Sequence, residues 1–346
     1  MMKDCETMQF KELEVAGGKS LRLSEMGFGG APLGNMHRAL SEAEAQATLQ
    51  AALDSGVTYF DTAPLYGHGL SEMRFGEALR PLTRSSYQLS TKIGRVLEPC
   101  EPGEEDAGIF VGTPHNRVVF DYSYDGVMRS YEDSLKRLGV GSIDILYIHD
   151  VDIWTHGSKE ASDRRINEVM SGGYRALEEL RASGDVAAIG AGVNEWEVCQ
   201  RLSALGDFDC FLLAGRYTLL EQEALDSFLP LCEARNIGIV LGGPYNSGIL
   251  ATGAVEGAVY NYHPAPPEIM ERVRAIGRVC DAHGVSMASA ALQFPLAHPA
   301  VVSVIPGAMS SDEVTRNVAT LKTRIPQAFW DDLRSARLLH PAAPTP

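Results

Sequence analysis

Short apolar runs alternate along the chain with amphipathic stretches of helical period, which predicts a repeating strand–helix unit. Ser41-Glu-Ala-Glu44 reads as a capping box. It opens a helix that runs to about Asp54 and stops at Gly56, with the strand Val57–Asp61 behind it. A helix over about Leu70–Leu79 leads to the strand Tyr87–Lys92, and one over about Tyr124–Leu138, stopped by Gly139, leads to Ile143–His149. The same alternation gives strands at Val186–Val193, Cys210–Ala214, Ile239–Gly242 and Val301–Ile305. Helical stretches at about Ile269–His283 and Ser286–Ala297 precede the last strand, and an amphipathic one at Ser311–Leu321 follows it.

A short first strand near Leu23–Gly29 brings the count to about eight βα units. Uniformly apolar short strands suit a parallel sheet covered on both faces. An open doubly wound sheet and a closed barrel both satisfy this. The segment Gly27-Phe-Gly-Gly-Ala31 lacks G-x-G-x-x-G spacing, and no helix follows it directly. That absence, with the count near eight, favours an α/β architecture of the (β/α)8 TIM barrel type. Residues 8–15 and 19–22, joined by Gly17-Gly18, predict a β-hairpin ahead of the barrel. The expected domain is then a single unit over 1–346. Residues 93–123 break the rhythm: they show no clear period and hold five acids between Glu98 and Asp106. This is either a solvated loop or, because it follows a strand on the active-site face, a lid or substrate wall.

Composition narrows the class. Apolar residues make up 45% and charged residues 22%, as in an ordinary globular chain. The net charge of −15 argues against nucleic acid or an anionic membrane as main partner. No run approaches the roughly 20 apolar residues of a membrane span. The first residues, MMKDCETMQFKELEV, carry acids where a signal peptide needs an apolar stretch. Cys5, Cys100, Cys199, Cys210, Cys232 and Cys280 show no C-x-x-C spacing. The expectation is a cytoplasmic protein with reduced thiols.

Candidate chemistry lies at the strand ends, where a barrel keeps its active site. In order these are Asp61, Lys92, His149 and Asn194, with Tyr66 five residues beyond Asp61. Each alone has a bland explanation. Jointly, four apolar strands deliver polar side chains to one rim, and the set describes a proton-transfer device. A phenol with a reference pKa near 10 needs a neighbouring cation to transfer protons at neutral pH. Lys92 supplies that cation, and Asp61 is its counter-ion. His149 would hold a carbonyl or hydroxyl oxygen in line with Tyr66, and Asn194 would donate to a planar amide. No nucleophilic Ser or Cys belongs to the set, and the nine histidines show no H-x-H ligand spacing, so no metal is expected. Hydride exchange with a nicotinamide fits what is left.

Phe60-Asp61-Thr-Ala-Pro-Leu-Tyr66-Gly-His-Gly-Leu-Ser-Glu72, with Ser90-Thr-Lys92 and Asp144-Ile-Leu-Tyr-Ile-His149, resembles the aldo-keto reductase superfamily over about residues 20–335. The resemblance implies a barrel that binds nicotinamide without a Rossmann domain, and a tetrad of Asp61, Tyr66, Lys92 and His149. It makes Tyr66 the general acid for carbonyl reduction and, as phenolate, the general base for oxidation; Lys92 and Asp61 tune it, and His149 orients substrate. Asn194 resembles the carboxamide-binding residue. Gly30, Ala31, Asp61, Gly243, Pro244, Gly307, Glu313 and Asn317 complete the implied cofactor site, with Asn317 on the adenine. Gly242 falls where the family commonly stacks an aromatic on the nicotinamide, leaving Tyr245 or Tyr217 as substitutes.

After the last strand, NADPH-using members carry Ile-Pro-Lys-Ser and then an Arg. Here Gly307, Ala308 and Glu313 stand at those positions. A 2′-phosphate needs cationic donors. A carboxylate repels it but accepts from a ribose hydroxyl. The expected cofactor is therefore NAD rather than NADP, with the alternative that Glu313 is simply an acid favoured at a helix start.

The run Leu212–Gln222 and the long segment after Lys92 resemble a branch that includes aldose 1-dehydrogenases of the D-threo-aldose/L-fucose type, plant L-galactose dehydrogenase and bacterial pyridoxal 4-dehydrogenase. The implied reaction is oxidation of a cyclic hemiacetal, sugar or pyridoxal, to a lactone. Met36 and Trp154, with Phe120, are candidate wall residues beside Tyr66 and His149. An NADPH-linked aldehyde reductase and a binding module of the channel-beta-subunit kind are the alternatives.

Overall fold

The computed structural model describes residues 8–346; Cys5 and the start of the N-terminal stretch lie outside the described residues. Eight parallel strands form one sheet: β1 (Phe28–Gly29), β2 (Tyr59–Asp61), β3 (Gln88–Ile93), β4 (Ile145–His149), β5 (Ala188–Val193), β6 (Cys210–Ala214), β7 (Gly238–Gly242) and β8 (Val301–Ile305). Sequential strands are neighbours from β1 to β7, and β7 pairs with β8. Parallel bridges Met26–Val304 and Gly29–Gly307 join β8 back to the first strand, so the sheet closes into a (β/α)8 barrel.

Closure depends on glycine. A Cβ on Gly29 would stand 2.8 Å from the carbonyl oxygen of Ile305. Only a residue without that atom lets the first and last strands meet. Two apolar layers result. Tyr59, Ile145, Tyr147, Cys210, Leu212, Val240 and Val302 fill the barrel interior, and Leu13, Val15 and Leu23 join them from the N-terminal hairpin, which plugs the floor. Outside the strands a larger layer packs under the helices.

Helix signals read from sequence hold well. Ser41 caps the helix Glu42–Asp54 with a reciprocal Glu44 bond, and Gly56 takes φ +83° after it. Gly139 and Gly184 terminate their helices in the left-handed region. Three features depart from expectation by more than a residue or two. Leu23 and Ser24 belong to the hairpin strand Lys19–Ser24 rather than to the first barrel strand, because they pair with Lys11 and Phe10. Residues 93–123 are not structureless: Arg95–Pro99 and Asn116–Phe120 form an antiparallel ribbon. Its strands are half-buried and of mixed polarity, which hid their period. The C-terminal helix Gln327–Ser335 also went unread; it buries Phe329, Trp330 and Leu333.

The ribbon's tip folds back over the mouth of the barrel. Asn35 and His37 exchange backbone bonds with Ile109 and Val111, and Met36 bridges Phe110. Arg74 anchors the other side of this loop. Its buried guanidinium donates to the carbonyls of Leu33 and Leu40, to Asn35 Oδ1 and to Glu42.

Gly76 shows how tightly the outer layer packs, since a Cβ there would lie 2.1 Å from the Leu138 carbonyl oxygen. Gly76→Ala should therefore cost about 1–3 kcal/mol through forced backbone shifts. Urea unfolding checks this; an unchanged midpoint would show that the two helices separate freely.

Candidate active site

The sequence delivers its polar residues to one rim because each stands at the C-terminal end of a strand or just past it. Asp61 ends β2, and the chain then turns so that Tyr66 N–H donates to the Ala63 carbonyl. This turn packs on the turn at Ala31–Gly34. A Cβ on Gly67 would lie 2.4 Å from Gly34 oxygen, so the pair of glycines sets how closely the tyrosine turn sits on the barrel. Lys92 lies within β3, and Gly192 of β5 leaves its methylenes room, with a hypothetical Cβ 3.3 Å from Lys92 Cε. His149 ends β4 and Asn194 follows β5.

The structure brings Asp61, Tyr66, Lys92 and His149 together. Lys92 Nζ donates to Asp61 Oδ2 at 2.7 Å and to the Thr62 carbonyl at 2.9 Å. It also lies 4.8 Å from the centre of the Tyr66 ring. The Tyr66 and His149 rings meet edge to face at 6.0 Å. The second oxygen of Asp61 accepts from Ser90, whose hydroxyl also meets Tyr59 in the barrel interior. Asp61 and Lys92 are each 1% exposed, so this ion pair is fully withdrawn from water.

The electrostatics correct one expectation. Burial pushes the Tyr66 phenol up to about 12, and the downward pull of Lys92 only partly offsets this, while Asp61 and Asp150 add to the rise. The phenol is thus a protonated acid at rest, because a desolvated phenolate costs more than one ammonium returns. Burial lowers the Lys92 pKa, but the attraction of Asp61 and Tyr66 outweighs it and the ammonium stays charged. Burial, with Arg95 and Lys92 nearby, drives His149 well below its ordinary value, so its imidazole is neutral. Its Nδ1 is buried without a hydrogen-bond partner.

A cavity of about 570 Å³ opens in front of Tyr66, within the usual range for a small-molecule site. One end is walled by Met36, Trp154, Arg216 and Tyr262, and the other by Gly307, Met309 and Glu313. Gly30, Ala31, Asp61, Asn194, Gly243 and Pro244 line it between. Lys92 and His149 stand behind the lining, and Asn317 beside it, accepting from the hydroxyl of the lining residue Tyr245 at 2.9 Å. Phe120 is elsewhere: it stacks on Tyr122 and packs against Arg95, so it is no part of the wall. Tyr217 is also excluded, being fully buried against Phe294 and His298. Of the two stacking substitutes, only Tyr245 faces the cavity.

Asn194 differs from expectation in polarity. Its Nδ2 protons go to Asp150 Oδ1 at 3.2 Å and Asp152 Oδ2 at 3.1 Å, so the atom left for a ligand amide is the accepting Oδ1. Glu313 both lines the cavity and serves its helix, accepting from Met309 N–H at 2.7 Å. Sequence reading missed Arg216 and Phe110. Arg216 Nε donates to the Asn194 carbonyl, and its guanidinium sits 5.9 Å from the Trp154 ring. Phe110 packs 6.4 Å from the Tyr66 ring. Nothing local in the sequence of the long insert marks that residue.

A closed eightfold barrel with a buried Lys–Asp pair under a phenol defines an oxidoreductase scaffold of the aldo-keto reductase kind. The chain belongs to that family: residues 25–337 match the aldo/keto reductase family model. It is 41% identical over 343 residues to pyridoxal 4-dehydrogenase of Microbacterium luteolum, covering 96% of this chain and 99% of that one. It is 37% identical to D-threo-aldose 1-dehydrogenase of a Pseudomonas species, covering 96% and 98%. Among solved structures, an aldo-keto reductase from Bacillus halodurans in its holo form superposes with a TM-score of 0.74 at 25% identity, covering 97% and 98%. Members of the family use nicotinamide cofactors. Among the described residues no helix is long and apolar enough to cross a membrane.

Lys92→Met should destabilise the fold by about 3–5 kcal/mol, because it strands a buried carboxylate. Adding Asp61→Asn should restore part of that loss. Denaturant unfolding of the three variants closes the cycle; strict additivity would show that the two groups do not depend on each other.

Proposed function

We propose that this protein oxidises a cyclic hemiacetal to a lactone with NAD as hydride acceptor. The observation that carries the proposal is the Lys92–Asp61 pair under the Tyr66 phenol, facing a cavity whose far end presents a carboxylate. The residues present fit a nicotinamide dinucleotide: the free acceptor of Asn194 suits the carboxamide, the turn from Gly243 through Pro244 offers close backbone approach, and Asn317 suits the adenine. When bound, the cofactor supplies a hydride acceptor carbon beside the substrate. Everything else falls to the chain's own groups. His149 and Tyr66 hold the anomeric oxygen; for oxidation Tyr66 first gives its own proton to solvent, and the phenolate, which Lys92 stabilises, then takes the anomeric proton. In the reverse direction the resting phenol returns that proton.

Three features support NAD over NADP. Gly307 and Ala308 bring no cation to that end of the cavity, and Glu313 faces it directly. Arg316, 4.0 Å from Glu313, is largely exposed and points its charge to the carboxylate. A 2′-phosphate placed there would meet a like charge without a donor.

Within the hemiacetal class, the wall of Met36, Trp154 and Tyr262 suits a flat pyridine ring better than a hydroxyl-covered sugar, which needs a polar partner for each group it buries. Pyridoxal is therefore the second substrate to test beside the aldoses. The long insert is proposed as a substrate wall, since its Phe110 covers Tyr66.

The decisive screen follows NAD reduction on L-fucose, D-arabinose, L-galactose and pyridoxal. Turnover is expected with at least one, and Tyr66→Phe should lower kcat by roughly 10²–10⁴-fold while cofactor binding, read by fluorescence quenching, persists. Full activity in that variant would refute the acid–base assignment. Cofactor binding without turnover on any substrate would favour a binding module. Glu313→Lys should improve NADP affinity by about tenfold, equivalent to 1.4 kcal/mol; a wild-type preference for NADP would overturn the cofactor assignment.

A further inference from the structure

The residue after His149 is an aspartate in a conformation that aspartate seldom adopts. Asp150 takes φ +47°, in the left-handed region that favours glycine. Its own amide donates to the Gly192 carbonyl at 2.9 Å, which fixes that conformation against β5. The turn aims the carboxylate back toward the rim, where it meets three separate elements. Oδ2 accepts from Arg95 Nη2 at 2.6 Å, at the root of the inserted ribbon. The same oxygen lies 3.3 Å from His149 Nε2. Oδ1 accepts from Asn194 Nδ2 at 3.2 Å. The Tyr122 hydroxyl donates to the backbone carbonyls of both His149 and Asp150 and holds the turn from behind.

We infer that Asp150 is a positioning residue for the reaction, one carboxylate that orients the imidazole facing the substrate and the side-chain amide facing the cofactor at the same time. The inference rests on the hydride-transfer reading above. An imidazole beside a carboxylate keeps its single proton on that side, as second-sphere carboxylates do for catalytic and ligating histidines. With the proton on Nε2, the lone pair of His149 falls on Nδ1, the buried nitrogen without a partner. The Nε2–H of that tautomer is then what the ring presents to a substrate oxygen, which leaves the hydroxyl proton for Tyr66. The bond from Asn194 to Asp150 likewise commits its nitrogen inward and leaves Oδ1 as the acceptor for a carboxamide. Strain at Asp150 is the kind a fold retains where geometry matters to the site.

The groups facing Asp150 determine how it titrates. Burial raises its carboxyl to about 6, opposed by Arg95 from the ribbon and Lys92 from β3, and assisted by Asp152 from its own loop. Tyr66, Tyr122 and Tyr262 also feel its charge, and His149 stands neutral beside it. Protonation of Asp150 removes the negative charge that keeps the proton of His149 on Nε2. Activity supported by the ionised form is therefore present above about pH 6 and lost as pH falls through it.

Asp150→Asn tests the inference with three readings. First, kcat should fall on the order of 10²-fold, the scale of a misplaced catalytic group. Second, the acid limb of the kcat profile near pH 6 should flatten. Third, NAD affinity by fluorescence quenching should weaken about tenfold through Asn194. Thermal unfolding of the variant checks its fold. A purely structural role would lower the melting temperature while leaving kcat per folded molecule and the pH profile as in the wild type, and that result overturns the inference. So does unchanged NAD affinity, which decides the matter even if the wild type turns over none of the four substrates. Should Asp150→Asn not fold, Arg95→Met serves instead: without its cation the acid limb should move to higher pH, and an unmoved limb rejects the role.

Discussion

A cation and an anion buried together at the mouth of the barrel govern the rest of this molecule. Lys92 and Asp61 lie 2.7 Å apart with almost no access to water. Each ion left several kcal/mol of hydration behind, and their attraction repays that only if every other polar atom nearby is satisfied. The atoms of the pair itself meet that condition, while His149 Nδ1 close by stays without a partner. Thr62 accepts from the ammonium, and Ser90 donates to the carboxylate and meets the interior hydroxyl of Tyr59. Two apolar residues of similar volume would give a more comfortable core. The pair makes sense as chemistry retained at the cost of stability, and the closed barrel around it supplies the apolar burial that makes the cost bearable.

Position in the fold then separates roles. The same burial that raises the Tyr66 phenol keeps His149 neutral, so two groups that differ widely in solution are both uncharged here. Among the described residues the Lys92 ammonium is the one cation set against the phenol ring, and it acts at close range in a medium that screens little. Asp61 belongs to a strand of three residues and Tyr66 to the turn that follows, yet both are held by glycine contacts at the first strand and its neighbouring turn. Rigid backbone near the reacting phenol comes from what these positions lack, a Cβ, more than from any bond they make.

Much of this was legible in the chain. The βα rhythm, the helix caps at Ser41 and Gly139, and the last strand Val301–Ile305 follow from period and stop signals alone. So does the gathering of Asp61, Lys92 and His149 at one rim, because strand ends in a barrel converge whatever their separation in sequence. Other features depend on contacts between distant segments. The antiparallel ribbon of the insert has a mixed pattern because one of its faces covers the barrel loops and the other meets solvent. The sign of the Tyr66 shift could not be read from a nearby lysine, since desolvation is a property of the whole enclosure. Asn194 was read as a donor because the two aspartates that claim its protons lie more than forty positions away. Asp150 drew no attention, because nothing in the sequence reveals a left-handed turn at a residue other than glycine.

The backbone pairing between residues 35–37 and the tip of the insert carries an evolutionary consequence. Met36, a wall of the cavity, is held by the bonds that its neighbours His37 and Asn35 make with Ile109 and Val111 rather than by any barrel strand. Lengthening, trimming or retyping that ribbon redraws the chamber while the buried pair beneath it stays untouched. On the proposed reading, selectivity and reactivity are thereby housed in separately replaceable parts, and a lineage can trade one molecule for another without reinventing how a proton is moved.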